Sequence, residues 1–452
     1  MEDIKIMKKA FFVGINGIGM SALAKIMVNE GYKVYGSDIA RKEITDELEK
    51  IGITFFSGHS DLNVIGMDMV IYTSAVKLSN PELVFAKLNN IPILKRGELL
   101  AMLLNSKTGI AVAGTHGKTT TSSMMGVSML ESNPTIVVGG IIPEIGSNST
   151  SGKGEYLIAE ADESDNSYLY MYPKYSIITN VEADHLDYHK TFDNIKKSFT
   201  KFIEQTEKKV IVCMDCEELN KIAQNNPKVV KYSVKSKEAD VYAYNIRMES
   251  GATHYNVVCF GEELGEFVLT VPGIHNVSNS LGVIYFSKIL GQNMEFVKNK
   301  LKDFKGAKRR FDVLYDKEIT VVDDYAHHPT EIKATLNAAK QRSKGKVIAV
   351  YQPHRYSRIS SLVDDFTHSF NDADEIIMMP IYSAGEKNIY GISSEILAEK
   401  IDGGKKITVV SGADELEKMV LSKKEEGALY MFMGAGDIYK SAYKVKAELE
   451  KK

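Results

Sequence analysis

Apolar residues along this chain come in short runs, and helix-period patterns fill the spaces between them. In the first ~105 residues the runs are KAFFVGI, YKVYGSD, MDMVIYTSAV and IPILKR. β-rich runs alternating with amphipathic segments predict a parallel sheet with crossover helices. A second series begins at TGIAVAGTHGKTTT and continues through GEYLIAEADESD, YSIITNVEADHLD and KKVIVCMD. A third contains EITVVDDYAHH, KVIAVYQPHR, DEIIMMPIYSAGE, KITVVSG and ALYMFMGAGDIY. Between the second and third, residues 228–272 carry short strand patterns with little helix, as in THYNVVCFGEELGEFVLTV, and predict antiparallel hairpins appended to the second sheet. HNVSNSLGVIYFSKIL then reads as a helix. The pattern predicts an α/β protein of three domains, 1–106, 107–308 and 309–452, with joints near 106 and 308.

The segment MKKAFFVGINGIGMSALA imitates an export signal, with a basic start, an apolar run and small residues at its end. Three glycines and an asparagine interrupt the run, and the pattern carries on through KIMVNEGYKVYGSD, so strand, glycine turn, helix and strand are expected instead. No apolar stretch reaches the ~18 residues of a membrane-spanning helix. Charge adds little, since 56 basic and 59 acidic residues leave a formal net charge of −3. That balance offers no reason to expect nucleic acid or an anionic membrane as a partner. The three cysteines include a C-x-x-C pair, Cys213 and Cys216, but with only Cys259 besides, a four-thiolate zinc site is impossible. They read as ordinary reduced thiols, in keeping with a cytoplasmic protein.

Candidate chemistry collects just after the apolar runs, at the strand ends where ligands sit in open α/β sheets. GTHGKTTT (Gly114–Thr121) follows the strand GIAVA and opens a helix. Backbone N–H groups there can cradle phosphates at a helix N-terminus. The common pattern G-x-x-x-x-G-K-[ST] would need a glycine where Val112 stands, but Gly114, Gly117, Lys118 and Thr119 remain. Lys118, expected to be a solvated cation, would neutralise phosphate charge, and the Thr119 hydroxyl would bind Mg²⁺. Glu160 at the end of YLIAE is the first choice for a second oxygen ligand; Asp162, Glu163 and Asp165 are alternatives that could equally cap a helix. His185, beside Glu182 and Asp184, reads either as a metal ligand or as a structural hydrogen-bonder.

GINGIGMS, after AFFV, forms a second glycine turn ahead of a helix, with Ser37 and Asp38 some 20 residues on, where a ribose-contacting acid is expected. Alone it suggests a dinucleotide such as NAD, and so an oxidoreductase, or merely close helix–strand packing. KRRFD (Lys308–Asp312) lies at the second joint, and PHRYSR places Arg355 and Arg358 after a strand, where the planar guanidinium suits carboxylate or phosphate. A nucleotide-dependent switch without catalysis is a further reading, although the Arg- and His-rich strand ends of the last series suit a protein that holds a second substrate.

The glycine turn, GTHGKTTT, EADESD, NVEADHLD, HNVSNS, KRRFD, DDYAHHPTEI and QPHRYSR, in that order, resemble the ATP-dependent Mur ligases of bacterial peptidoglycan synthesis. The resemblance spans nearly the whole chain; DDYAHHPTEI and QPHRYSR are its more specific parts, and the family's loop has the form G-T-x-G-K-[ST], so Val112 is ordinary for it. It implies a Rossmann-like first domain that binds the UDP of a sugar substrate through Gly14, Asn16, Gly17, Ile18, Gly19, Met20, Ser21, Ser37 and Asp38. It implies a central P-loop ATPase-like domain that binds ATP through Gly114, Thr115, His116, Gly117, Lys118, Thr119 and Thr120, with Asn276 and Asn279 toward adenine. Arg310 would reach the γ-phosphate and Asp324 the ribose. Thr119, Glu160 and His185 would serve Mg²⁺. Tyr325, His327, Arg355 and Arg358, in a Rossmann-like C-terminal domain, would position the reacting carboxylate and the amino acid. The activity implied is amide formation between L-alanine and the lactyl carboxylate of UDP-N-acetylmuramate through an acyl phosphate, in the cytoplasm, as part of cell-wall synthesis and division. A second branch of the family instead joins a tripeptide to the same sugar nucleotide. Asn16 stands where the family usually has glycine. Phe199 occupies the position, about fourteen residues after the metal histidine, where several sister ligases carry a carbamylated lysine, so that modification is not expected.

Overall fold

A computed structural model describes residues 9–224, 226–249, 251–401 and 404–451. Three separate sheets run through the chain, one for each series of apolar runs. Packing gathers them into two compact units. One holds the chain up to Tyr232 together with Gly282–Val297; the other holds Ser233–Leu281 together with the chain from Lys298 onward.

In the first unit, five parallel strands stand in the order Thr54–Ser57, Lys33–Asp38, Lys9–Val13, Met69–Tyr72, Ile93–Lys95. The chain therefore winds one way from Lys9–Val13 and then the other, and the gap between Lys9–Val13 and Met69–Tyr72 is the switch point where such sheets take ligands. The segment that imitates an export signal is built, from Lys9 on, as strand Lys9–Val13, a turn, and helix Ile18–Asn29; its Met7 and Lys8 lie outside the described residues.

The second sheet of this unit runs Val229–Ser233, Lys209–Cys213, Tyr175–Ile178, Thr108–Ala113, Tyr156–Glu160, Thr135–Ile142, Ser147–Thr150. Its pairs are parallel except the last. Thr108–Ala113 is buried on both faces from Gly109 on, which is why its sequence is continuously apolar rather than alternating. The hairpin reading of 228–272 holds from Val241 on but not before it: Val229–Ser233 pairs parallel to Lys209–Cys213. Sequence alone could not separate a parallel edge strand from the hairpins that follow, because both read as short β-rich runs.

In the second unit, Val241–Glu249, Ala252–Cys259 and Glu262–Leu269 pair as antiparallel hairpins. Phe260 and Gly261 join the last two, both at positive φ, the conformation that matches strand twist in a two-residue turn. The third sheet orders as Asp312–Asp316, Thr320–Asp324, Leu429–Met433, Val347–Tyr351, Glu375–Met378, Lys406–Val409, parallel except for the first pair. No helix among the described residues is long and apolar enough to cross a membrane.

Candidate active site

The glycine turn is built at the first sheet's switch point. Gly14 takes φ +81°, and its N–H donates to Ser37 O at 2.8 Å. Gly17 caps helix Ile18–Asn29 with no side-chain bond, so the helix N-terminus is presented bare. Asn16 needs no glycine-like backbone: it is not among the positive-φ residues, its side chain is buried, and it donates to Ala40 O at 2.9 Å while accepting from Thr45 Oγ1 at 2.9 Å. The Asp38 carboxylate accepts from the N–H groups of Asn16 (3.0 Å) and Ile39 (2.8 Å) and so braces the turn. Ser37 is fully buried and donates to Glu82 Oε2 at 2.7 Å, with His59 Nδ1 3.0 Å away. Met20 and Ser21 are buried and Ile18 is exposed.

The phosphate-binding pattern lies between strand Thr108–Ala113 and helix Lys118–Ser128. Gly114 (φ +136°) has no space for a side chain, since a Cβ there would fall 2.0 Å from Thr179 Oγ1; Gly117 (φ +81°) caps the helix. Asn180 holds the loop from beneath, accepting from His116 N–H at 2.8 Å and donating to His116 O at 3.0 Å. Thr115 Oγ1 accepts from Glu182 N–H at 2.9 Å. Thr120 is half-buried.

Lys118 is not the solvated cation the sequence suggests. Its ammonium donates to Gly114 O (2.6 Å), Thr115 O (3.1 Å) and Glu163 Oε1 (2.8 Å). Burial presses its pKa down, but the carboxylates of Glu163, Asp162 and Glu160 outweigh that and hold it above the ordinary lysine value. Glu163 is itself buried, and burial pushes its pKa up to about 7 against the pull of Lys118; its Oε2 has no partner. The loop is tightly folded on itself because EADESD runs off the neighbouring strand, which sequence spacing does not reveal.

Glu160 ends strand Tyr156–Glu160, in register with Val112. Its Oε2 accepts from Thr119 Oγ1 at 2.8 Å and from Gly139 N–H at 2.8 Å. Thr119 and Glu160 are therefore brought together by a direct hydrogen bond. Asp162 caps a turn through Ser164 N–H (3.0 Å), and Asp165 does the same for Ser167 N–H (2.9 Å). Burial presses the Asp162 carboxyl upward, yet Lys118, Ser164 and Arg96 together hold it below the ordinary carboxylate range. His185 sits at φ +52°, with its backbone N–H on Asp184 Oδ1 (2.8 Å) and its ring Nε2 3.6 Å from Asp184 Oδ2. Phe199 is fully buried against Tyr168.

A cleft of about 370 Å³ has both the glycine turn and Glu160 in its lining. Gly17–Met20 and Thr73 line one side, and Gly139, Glu160 and Asp162 the other, with Arg96 among the lining residues. Arg96 is absent from the sequence reading. It begins helix Arg96–Asn105 directly after strand Ile93–Lys95; an arginine just past a strand is the signal that singles out Arg355, and ILKR carries it too. It is packed so closely on the glycine turn that a Cβ on Gly19 would fall 3.1 Å from its Cδ.

The remaining candidates belong to the second unit. Asn276 and Asn279 are buried one turn apart, Asn279 Nδ2 donating to Asn276 Oδ1 at 3.2 Å. Asp324 is buried and accepts from Phe311 N–H and Ala326 N–H, each at 2.7 Å; burial pushes its pKa up to about 6. Arg310 lies over the Tyr325 ring at 5.1 Å, with Glu331 3.8 Å away. Tyr325, His327, His354 and Tyr382 follow one another ring to ring at 5.6, 5.8 and 5.6 Å. His327 Nδ1 lies 3.0 Å from Tyr325 O, which can only accept, so the neutral ring carries its basic lone pair on Nε2. Arg355 takes φ +67° and its N–H bonds Tyr382 O; Arg358 is buried, 3.0 Å from His354 Nδ1.

Three family models match the chain: the Mur ligase family catalytic domain over residues 9–108, the Mur ligase middle domain over 112–286, and the Mur ligase glutamate ligase domain over 309–436. A UDP-N-acetylmuramate–L-alanine ligase from Fusobacterium nucleatum subsp. nucleatum is 52% identical, with 99% of this chain and 98% of that one covered. The crystal structure of the UDP-N-acetylmuramate-alanine ligase from Thermotoga maritima superposes with a TM-score of 0.81 at 32% identity, covering 98% and 99% of the two chains. A murein peptide ligase from Psychrobacter arcticus is similar in fold, with a TM-score of 0.69 at 22% identity over 97% and 98%.

Proposed function

The chain belongs to the Mur ligase family, and we propose that it joins L-alanine to the lactyl carboxylate of UDP-N-acetylmuramate with conversion of ATP to ADP and phosphate. The carrying observation is a cleft whose lining holds both the glycine turn and Glu160. A sugar nucleotide anchored by its diphosphate at the bare helix N-terminus would extend along that cleft toward the phosphate-binding loop. Full-length similarity to alanine-adding ligases supports alanine over the tripeptide, whose ligase shares the fold alone. Family membership removes the oxidoreductase and switch readings. We assign sugar-nucleotide binding to residues 1–106, ATP binding to 107–308 and the amino acid to 309–452, and place the enzyme in the cytoplasm, in keeping with its three cysteines, all of them thiols.

A carboxylate does not form an amide with a free amine unaided. Its oxygen would attack the γ-phosphorus of ATP, forming an acyl phosphate and releasing ADP; the alanine amine would then attack the acyl carbon and phosphate would leave. Such phosphoryl transfer needs positioning and charge neutralisation above all. Thr119 and Glu160 offer the hard oxygen donors that Mg²⁺ prefers, and we assign them, with His185, to it. When bound, Mg²⁺ would neutralise phosphate charge. Lys118 and Arg310 supply further positive charge at the phosphates. His327 Nε2 is assigned to take the proton from the attacking amine, and Arg355 and Arg358 to hold carboxylate groups.

Mixing the full chain with ATP, Mg²⁺ and UDP-N-acetylmuramate should release phosphate only when an acceptor amine is added. With L-alanine, glycine, L-serine and the tripeptide L-alanyl-γ-D-glutamyl-diaminopimelate offered in parallel, L-alanine should be best. Glycine and L-serine should be slower but measurable, since small size differences are worth only ~1–3 kcal/mol, and the tripeptide inert. A preference for the tripeptide, read by product mass, would assign the chain to peptide recycling instead. In calorimetry, UDP-N-acetylmuramate should give binding heat and NAD none; heat from NAD would reverse the reading of the glycine turn.

A further inference from the structure

Two arginines stand side by side in KRRFD, and the structure gives them different surroundings. The Arg309 guanidinium lies against two tyrosine rings, 4.9 Å from the centre of Tyr325 and 4.5 Å from that of Tyr439. It also donates to Gly434 O at 2.7 Å and pairs with the fully buried Asp323 at 3.4 Å. Arg310 has the Tyr325 ring and a carboxylate at 3.8 Å. The backbone that carries them is contorted: Arg309 (φ +63°) and Phe311 (φ +50°) both take left-handed conformations, one on each side of Arg310. Side chains with a Cβ adopt that region at a cost and keep it only where the surroundings over-determine it. Here they do. Arg310 N–H bonds Ala307 O (3.0 Å), Tyr325 N–H bonds Arg309 O (2.8 Å), and Phe311 N–H bonds Asp324 Oδ2 (2.7 Å).

We propose that Arg309 is a positioning residue, which by wedging between Tyr325 and Tyr439 and tying to Gly434 and Asp323 locks the left-handed turns at 309 and 311 and so fixes where the Arg310 guanidinium is held. The inference rests on the assignment of Arg310 to the γ-phosphate. Planar stacking on two rings is a property of guanidinium that an ammonium lacks. Tyr325 is shared by both arginines, so an error in the seating of Arg309 is passed directly to Arg310.

The test is a double-mutant cycle in the full chain, with phosphate release measured alongside circular dichroism and thermal melting. Arg309→Met keeps length and apolar contact with the rings, and Asp323, which burial already pushes to a pKa of about 7, can take up a proton when its partner is lost. The expected result is a fall in kcat of about 100-fold, with KM for L-alanine and for UDP-N-acetylmuramate within about threefold. Added to Arg310→Ala, the same change should cost less than about twofold more, since a residue acting through another has no effect once that other is gone. Arg309→Lys should recover only part of the loss. Equal losses with and without Arg310, or normal kcat in folded Arg309→Met, overturn the proposal. Should Arg309→Met not fold, Tyr439→Leu removes one ring and leaves the Asp323 pair intact. It should lower kcat about tenfold when Arg310 is present and leave it unchanged when Arg310 is absent; equal losses would again overturn the proposal. Full activity in Arg310→Ala would overturn the γ-phosphate assignment and the inference with it, an outcome distinct from a failure of Arg309 alone.

Discussion

Replacing Lys118 with methionine, together with Glu163→Gln, is expected to leave a folded protein whose turnover falls by roughly 100- to 1,000-fold. The two changes belong together because of the structure. Lys118 is enclosed by two loop carbonyls and Glu163, and Glu163 is 3% exposed. Lys118→Met alone strands a buried carboxyl, and breaking a buried pair from one side typically costs about 3–5 kcal/mol. The loss would be eased here because Glu163, with a pKa of about 7, can become neutral by taking a proton. Removing both charges avoids even that, since replacing both members of a buried pair is often neutral. The double variant therefore separates catalysis from stability. Its melting temperature should stay near that of the unaltered chain while phosphate release nearly vanishes. In the intact protein, phosphate oxygens would have to compete with Glu163 for Lys118, so Glu163→Gln alone should lower KM for ATP. Near-normal turnover in the folded double variant would remove Lys118 from the reaction.

What the sequence makes legible follows from how local each feature is. The GTHGKTTT loop, the glycine turn and the strand-end carboxylate Glu160 are each written within a few residues, and each stands where its apolar run says the strand ends. The three sheets are legible for the same reason. Features that depend on which strands become neighbours are not. Glu82, in helix Pro81–Leu88, gathers Ser37 Oγ (2.7 Å), His59 Nδ1 (2.8 Å) and Asn63 Nδ2 (2.8 Å), and so fixes a residue given to the nucleotide, yet 45 residues separate it from Ser37. Arg96 lines the cleft from the start of the helix that follows strand Ile93–Lys95, and which neighbours that strand takes is not written in ILKR. Nothing in KRRFD distinguishes a clamped arginine from a presented one; the rings that do so, Tyr325 and Tyr439, come from a strand end and a helix far along the chain. Asp324, given to a ribose on resemblance, has each carboxylate oxygen on a backbone N–H, a bracing role that only the tertiary structure displays.

Gly139→Ala is expected to abolish most activity without affecting the fold. Gly139 lies in strand Thr135–Ile142, just beyond the last parallel pair, Val137 with Ala159. It is exposed and has no left-handed φ, so a methyl group there strains no backbone and displaces no core side chain. The atoms it would meet are those of the assigned metal site. A Cβ would fall 2.7 Å from Glu160 Oε2 and 3.1 Å from both Glu160 Oε1 and Thr119 Oγ1. The first distance is one that no carbon and oxygen sustain, so Glu160, the flexible end of the contact, must swing away. Swinging breaks its bonds to Thr119 Oγ1 and to the Gly139 N–H together. A displacement of about 1 Å at a reacting centre is worth about 100-fold in rate, and that is the loss expected in kcat. The concentration of Mg²⁺ needed for half-maximal activity should rise with it, because a displaced carboxylate no longer completes the oxygen set. Titrating Mg²⁺ at saturating ATP measures both effects in one experiment, and a melting curve unchanged within a few degrees shows that the methyl group acted on the site rather than on the fold. Unaltered turnover and unaltered Mg²⁺ dependence would show that Glu160 need not stand beside Thr119, and the metal assignment would then pass to Asp162 or Glu163.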